Sequence, residues 1–85
     1  MSDDLAQQIQ VSGLILDETG QPLSGANVIE VGTTNGTQSD FNGAFSISAE
    51  NLEAILSVSY IGFLTVEVLL SYESDVSNIR INMVQ

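Results

Sequence analysis

Between Gly32 and Phe45 the chain carries two turn signals so close together that only a very short strand, Thr37 to Ser39, fits between them. Asn35-Gly36 joins two residues that tolerate positive φ, the strongest short-range hairpin signal. Asp40-Phe41-Asn42-Gly43 has the spacing of a type I turn closed by a left-handed glycine. Its Asp side chain can accept a hydrogen bond from the backbone two residues on, and its Gly has no Cβ to clash. Asp17-Glu18-Thr19-Gly20 repeats the same spacing, and Gln21-Pro22-Leu23-Ser24-Gly25 places a further turn ahead of the apolar run Ala26 to Val31. Punctuation this dense leaves little room for helix. Ala49-Glu50-Asn51-Leu52-Glu53 alone has helix-like composition, and it is one turn at most.

The segments between the turns alternate with a period of two. From Gln8 to Leu16, Ile9, Val11, Gly13 and Ile15 share the face assigned to the core, opposite Gln10, Ser12, Leu14 and Leu16. Ala26 and Val28 continue the inward set, while Ile29 and Val31 blur the period and point to a bulge. Thr37 to Asp40 is a short third strand, and Ala44 to Ser48 a fourth with Phe45 and Ile47 inward. Ala54 to Ile61 sets Leu56, Val58 and Tyr60 against Ser57 and Ser59; Phe63 to Leu70 sets Leu64, Val66, Val68 and Leu70 against Thr65 and Glu67. Ile79, Ile81 and Met83 oppose Asn78, Arg80 and Asn82 in a closing strand. Short strands with frequent turns and no helix to cover a parallel sheet predict an all-β, seven-stranded antiparallel sandwich. The expected buried set is Val11, Ile15, Val28, Phe45, Ile47, Leu56, Val58, Val66, Val68, Ile79 and Ile81.

Several of these motifs, in this order, carry a resemblance. Val11 to Asp17, Gly20 to Val28, Gly32 to Thr37, Asp40 to Phe45 and Ser59-Tyr60-Ile61-Gly62-Phe63 resemble the carboxypeptidase regulatory-like domain. More narrowly, they are similar to the copy at the N-terminus of SusC-like TonB-dependent outer-membrane receptors of Bacteroidetes. The resemblance covers the chain from about Ile9 to Met83 and implies a transthyretin-like, immunoglobulin-type Greek key. At 85 residues the chain is expected to form one domain, residues 8–85, preceded by a disordered or expression-derived stretch at 1–7.

Composition then limits the chemistry. The 85 residues contain no Cys, His or Lys, and 11 acidic residues face a single base, Arg80, for a formal charge of -10. The usual ligands for zinc, copper and haem are missing, and so are the partners of an ordinary nucleophile and base, so neither an enzyme nor a cofactor is expected. An anionic surface repels nucleic acid and anionic lipid. The longest apolar-leaning stretch, Ile55 to Leu70, is interrupted by Ser57, Ser59, Gly62, Thr65 and Glu67, which excludes an apolar membrane-spanning helix.

Four groups of residues are candidates for a site. Asp40 and Asn42, with Asn35 and Asp17, offer oxygen ligands to calcium, but Asp-x-Asn-Gly is also what the turn itself requires, and that reading is preferred. Tyr60 and Phe63 flank Ile61-Gly62 as a stacking platform or, by preference, as core anchors around a bend. Glu50 and Glu53 read as a solvated acidic loop rather than an acid/base pair. Leu14 and Leu16 are the candidate interaction residues, being leucines on an outward face. A cover by the chain around Val76 or Val84 is the competing explanation.

Three roles follow. The resemblance implies a non-catalytic accessory domain of a receptor for glycan or peptide uptake, on the periplasmic side of the outer membrane. Its partner would be protein, either the rest of the receptor or another envelope protein, with weak homodimerisation as a further outcome. A structural or adhesion module of a secreted or cell-surface protein is the second role, and an appendage of a metallocarboxypeptidase the third.

Overall fold

The computed structural model describes residues 9–50, 54–70 and 76–85. Seven strands form in these residues: β1 Ile9–Leu16, β2 Asn27–Glu30, β3 Gly36–Gln38, β4 Ala44–Ala49, β5 Ile55–Ser59, β6 Val66–Leu69 and β7 Ile79–Asn82. They build two sheets, sheet I in the order β4-β1-β7 and sheet II in the order β3-β2-β5-β6. The chain passes between the sheets after β1, β3, β4 and β6, so the core is assembled from the inward residues of both.

The period of two delivers that core. Val11 and Ile15 of β1, Phe45, Ile47 and Ala49 of β4, and Ile81 of β7 are buried from sheet I; Val28, Leu56 and Val58 are buried from sheet II. Leu23, Ala26, Ala54, Leu70 and Met83 close the ends. Val11 lies opposite Ile47 and Ile15 opposite Ile81, while Val28 lies opposite Val58 and Leu56 opposite Val68. Cross-strand apolar pairs of this kind fix the register, because a slip of one residue would turn every pair outward.

Sequence and structure differ in four places. First, β1 and β7 run parallel, whereas the other four strand pairings are antiparallel. β7 arrives from the opposite sheet without a hairpin to β1, so no tight turn dictates its direction. Second, Val66, Val68 and Ile79 are half-buried rather than buried. Sheet I has three strands against four in sheet II, and β6 is an edge strand of sheet II. Leu64, assigned to the same inward set, is 64% exposed.

Third, β2 contains no bulge: Val28 and Glu30 face in, Asn27 and Ile29 face out, and Glu30 occupies a position that the alternation reserves for an apolar residue. Fourth, Asn35-Gly36 is not the hairpin's turn. Gly36 opens β3, and the positive φ of that connection belongs to Gly32 at 85°. The longer loop is held by Thr33 N–H to the Glu30 carbonyl at 3.1 Å and Asn35 N–H to the Thr33 hydroxyl at 3.0 Å. The helix-like stretch expected at 49–53 lies partly outside the described residues; Ala49 ends β4.

The two Asp-x-x-Gly turns form as the sequence requires, with φ of 90° at Gly20 and 77° at Gly43. Their surroundings differ. A Cβ on Gly20 would meet open space, whereas one on Gly43 would lie 2.5 Å from the Ile15 carbonyl oxygen and 3.1 Å from Pro22 Cβ. Gly20→Ala is therefore expected to cost about 1 kcal/mol of unfolding free energy and Gly43→Ala about 2–3 kcal/mol. Denaturant titration of the two variants measures this, and equal losses would show that φ alone decides the cost.

Candidate functional site

A polar clip holds one end of the sandwich. Glu30 is 1% exposed, and its two carboxylate oxygens accept the Glu50 N–H at 3.1 and 3.0 Å. The Asn35 amide donates to Glu30 Oε1 at 3.0 Å and to the Ser48 carbonyl at 2.5 Å. Glu30 and Asn35 belong to the β2–β3 hairpin of sheet II, while Ser48 lies near the end of β4 in sheet I and Glu50 directly follows that strand, so these side chains tie the two sheets together. A buried carboxylate without such donors would be strongly unfavourable; here neighbouring N–H groups replace the water it lost. The donors and acceptor satisfy one another, which makes the cluster a structural tie. A strict period from Ala26 through Val28 lands on Glu30, but a carboxylate at an inward position runs against residue type, so the sequence alone did not single it out.

Ser39 does the same work beside the Leu23–Ala26 turn. Its hydroxyl donates to the Leu23 carbonyl at 2.6 Å and accepts the Ala26 N–H at 2.9 Å.

The calcium candidates are turn corners. Asp40 Oδ1 accepts the N–H groups of Asn42 and Ala44, both at 2.9 Å. Asp17 Oδ1 accepts the Thr19 hydroxyl at 2.7 Å, Thr19 N–H at 2.8 Å and Gln21 N–H at 2.9 Å. The Asn35 side chain is engaged in the clip, away from both turns. The Thr19 hydroxyl, followed by the Gln21 N–H, holds the Asp17 carboxyl below its ordinary pKa of 3.8. Its lowered folded pKa means that its contribution is present above pH 3.8 and is lost as pH falls through the lowered value. The stability gap between the natural chain and Asp17→Asn should thus be largest near neutral pH and shrink as pH falls below 3.8 and through the lowered folded value. Paired denaturant titrations across that range measure it, and a gap independent of pH would contradict the assignment.

Tyr60 and Phe63 are half-buried and pack against the core, with ring centroids 5.6 Å apart in an edge-to-face arrangement. They brace the turn in which the Phe63 N–H meets the Tyr60 carbonyl at 3.0 Å, leaving Ile61 at its tip 90% exposed. Glu50 is exposed and donates its N–H to the clip, and Glu53 lies outside the described residues.

Leu14 and Leu16 point to the outer face of sheet I and are half-buried. Leu14 lies between Ala44 and Arg80, and Leu16 beside Asn82 and Pro22. Val76 packs instead on the core, and Val84 is 48% exposed with its carbonyl on the Leu64 N–H.

A second apolar surface lies on sheet II. Register places Leu69 opposite Ile55, and the Val31 N–H donates to the Ile55 carbonyl, so Leu69, Ile55 and Val31 form a row across β6, β5 and the end of β2. All three are exposed, Leu69 at 70%, and Ile29 adds to the row on the same face. Next to it, Asn27, Ile29, Thr33, Thr37 and Gln38 line a shallow concavity of about 390 Å³ that is open to solvent. Among the described residues no cluster of three or more acidic side chains is placed to hold a metal ion.

Comparisons with known proteins agree with this architecture. The family model for the CarboxypepD_reg-like domain matches residues 11–85. The TonB-dependent receptor SusC of Bacteroides thetaiotaomicron is 51% identical over 61 residues, covering 72% of this chain and 6% of the receptor. The TonB-dependent receptor P39 of Formosa agariphila is 44% identical over 66 residues, covering 78% of this chain and again 6% of the receptor. Among solved structures, a chain of a type II cohesin–X–dockerin complex from Acetivibrio cellulolyticus superposes with a TM-score of 0.69 at 25% identity, over 87% of this chain and 56% of that one. The chain thus spans only a small fraction of its receptor relatives. From its match over 11–85 and the two-sheet fold that carries it, this chain belongs to the CarboxypepD_reg-like domain family.

Proposed function

We propose that this chain is a non-catalytic accessory domain of an outer-membrane TonB-dependent receptor for nutrient uptake, located on the periplasmic side and working through contacts with protein. The observation that carries the reading is the 51% identity to a TonB-dependent receptor over 72% of the chain. The surface supports it as well. The interior is filled by side chains, and the concavity on β2 and β3 lacks the enclosure that small-ligand sites use. Recognition then falls to sheet faces and edges. The face carrying Leu14 and Leu16 is one contact surface in this reading, for the rest of the receptor or an envelope partner.

A spacer or adhesion module is the second reading, favoured by the likeness to a chain of a cohesin–X–dockerin complex. Deleting residues 9–85 from the full-length receptor separates the two. The accessory role predicts a receptor that still reaches the outer membrane and binds its nutrient but takes it up more slowly, with Leu14→Ser plus Leu16→Ser reproducing part of the loss. Unchanged uptake on deletion would favour the spacer.

A further inference from the structure

β6 is an edge strand of sheet II. β5 covers one side of β6, and no described strand covers the other. The Leu70 N–H donates to the Ala54 carbonyl at 2.9 Å, and the antiparallel register continues through Val68 opposite Leu56 and Val66 opposite Val58. Hydrogen bonding alternates along such a ladder, so Val66 and Val68 direct their backbone groups to β5, and Glu67 and Leu69 direct theirs away from the sheet. Around those open groups lie Val66 and Val68, half-buried toward the core, and on the outer face Leu69 at the start of the apolar row with Ile55 and Val31. Apolar side chains on both faces of an open edge are the features that accept an added strand.

Charge selects the occupant. Sheet II contains no Lys or Arg, because the single cation, Arg80, is on β7 in sheet I, and Glu67 stands on the open edge itself. A second copy would bring its own charge of -10 and its own Glu67 to the contact, which disfavours pairing of like with like. We propose that the β6 edge binds an extended cationic segment of a separate protein by strand addition, with apolar side chains over Leu69 and Val68 and a Lys or Arg beside Glu67. Main-chain pairing with Glu67 and Leu69 supplies the register, and the charge supplies the choice of partner. This rests on the protein-contact reading above but uses the sheet opposite to Leu14 and Leu16.

The test is titration of the 85-residue chain with a dye-labelled peptide of alternating Val and Lys, alongside one of alternating Val and Glu, followed by fluorescence anisotropy and amide hydrogen exchange. Saturable binding of the Lys peptide only is expected, weakened by salt, with the Glu67 and Leu69 amides becoming protected. Leu69→Pro removes an outward N–H that β5 does not use and should abolish binding while the fold persists. Glu67→Lys, which keeps the backbone, should weaken binding by about tenfold or more. The proposal is overturned by binding that survives both substitutions, by protection elsewhere on the chain, or by edge protection without peptide, whether from a second copy or, in the full-length receptor, from its own chain. Failure here with uptake still dependent on the domain would reject the edge and leave the receptor role. Unchanged uptake on deletion, with peptide binding intact, would do the reverse.

Discussion

Replacing Glu30 with Ala should destabilise the sandwich by about 3 kcal/mol, because it strands buried donors rather than merely removing a contact. The Glu50 N–H would lose its acceptor and the Asn35 amide one of two, and a void would open beneath the end of β2. Glu30→Gln keeps an acceptor oxygen but turns an amide N–H toward a group that is itself a donor, so its cost should be intermediate. Asn35→Ala should couple to Glu30→Ala by about 1 kcal/mol in a double-mutant cycle, since the two residues touch and share a role. Denaturant midpoints of the four proteins give both quantities. Additive effects would mean that Glu30 and Asn35 act separately, and the inter-sheet tie would be no tie.

The second large effect is expected at Gly13. This residue is on the inward side of β1, between Phe45 of β4 and Ile79 of β7, and a Cβ there would lie 2.1 Å from the Ile79 carbonyl oxygen. Backbone cannot move aside as a flexible side chain can. Gly13→Ala must therefore push β7 away from β1, loosening Ile79 and Ile81 against the core, at a cost of about 3 kcal/mol. The φ of Gly13 is not positive, so the cost is steric, in contrast to Gly20, where it is conformational. Thermal denaturation together with amide exchange on β7 measures this. A variant within about 1 kcal/mol of the natural chain, with β7 still protected, would contradict the close approach.

What could be read from the sequence, and what could not, follows from how local each signal is. The register of β1, β4 and β5 was legible because Val11, Ile15, Phe45, Ile47, Leu56 and Val58 all fall on one face of a period-two pattern. Gly20 and Gly43 were legible because a single turn type explains Asp three residues before each. The inward Glu30 was not, because residue type argued against the periodicity, and the donors that settle it come from Asn35 and Glu50 on other elements. Asn35-Gly36 misled for the same reason: the Asn amide is used for the inter-sheet tie, and the reversal moved to Gly32. The parallel β7 and the exposed row of Leu69, Ile55 and Val31 depend on how the two sheets divide the strands, which no local pattern encodes. The outward leucines Leu14 and Leu16 lie half-buried on sheet I, and the exposed row lies on sheet II.

The proposed recognition at an open sheet edge, rather than in a pocket, is tested most directly by residue-resolved amide exchange of the free chain. Val66 and Val68 should exchange slowly, their N–H groups facing β5, while Glu67 and Leu69 between and beside them exchange fast. Alternating protection along β6 is the result that an open edge predicts. Uniform protection of all four would show the edge already covered, and uniform fast exchange would show that β6 is not a strand able to accept another.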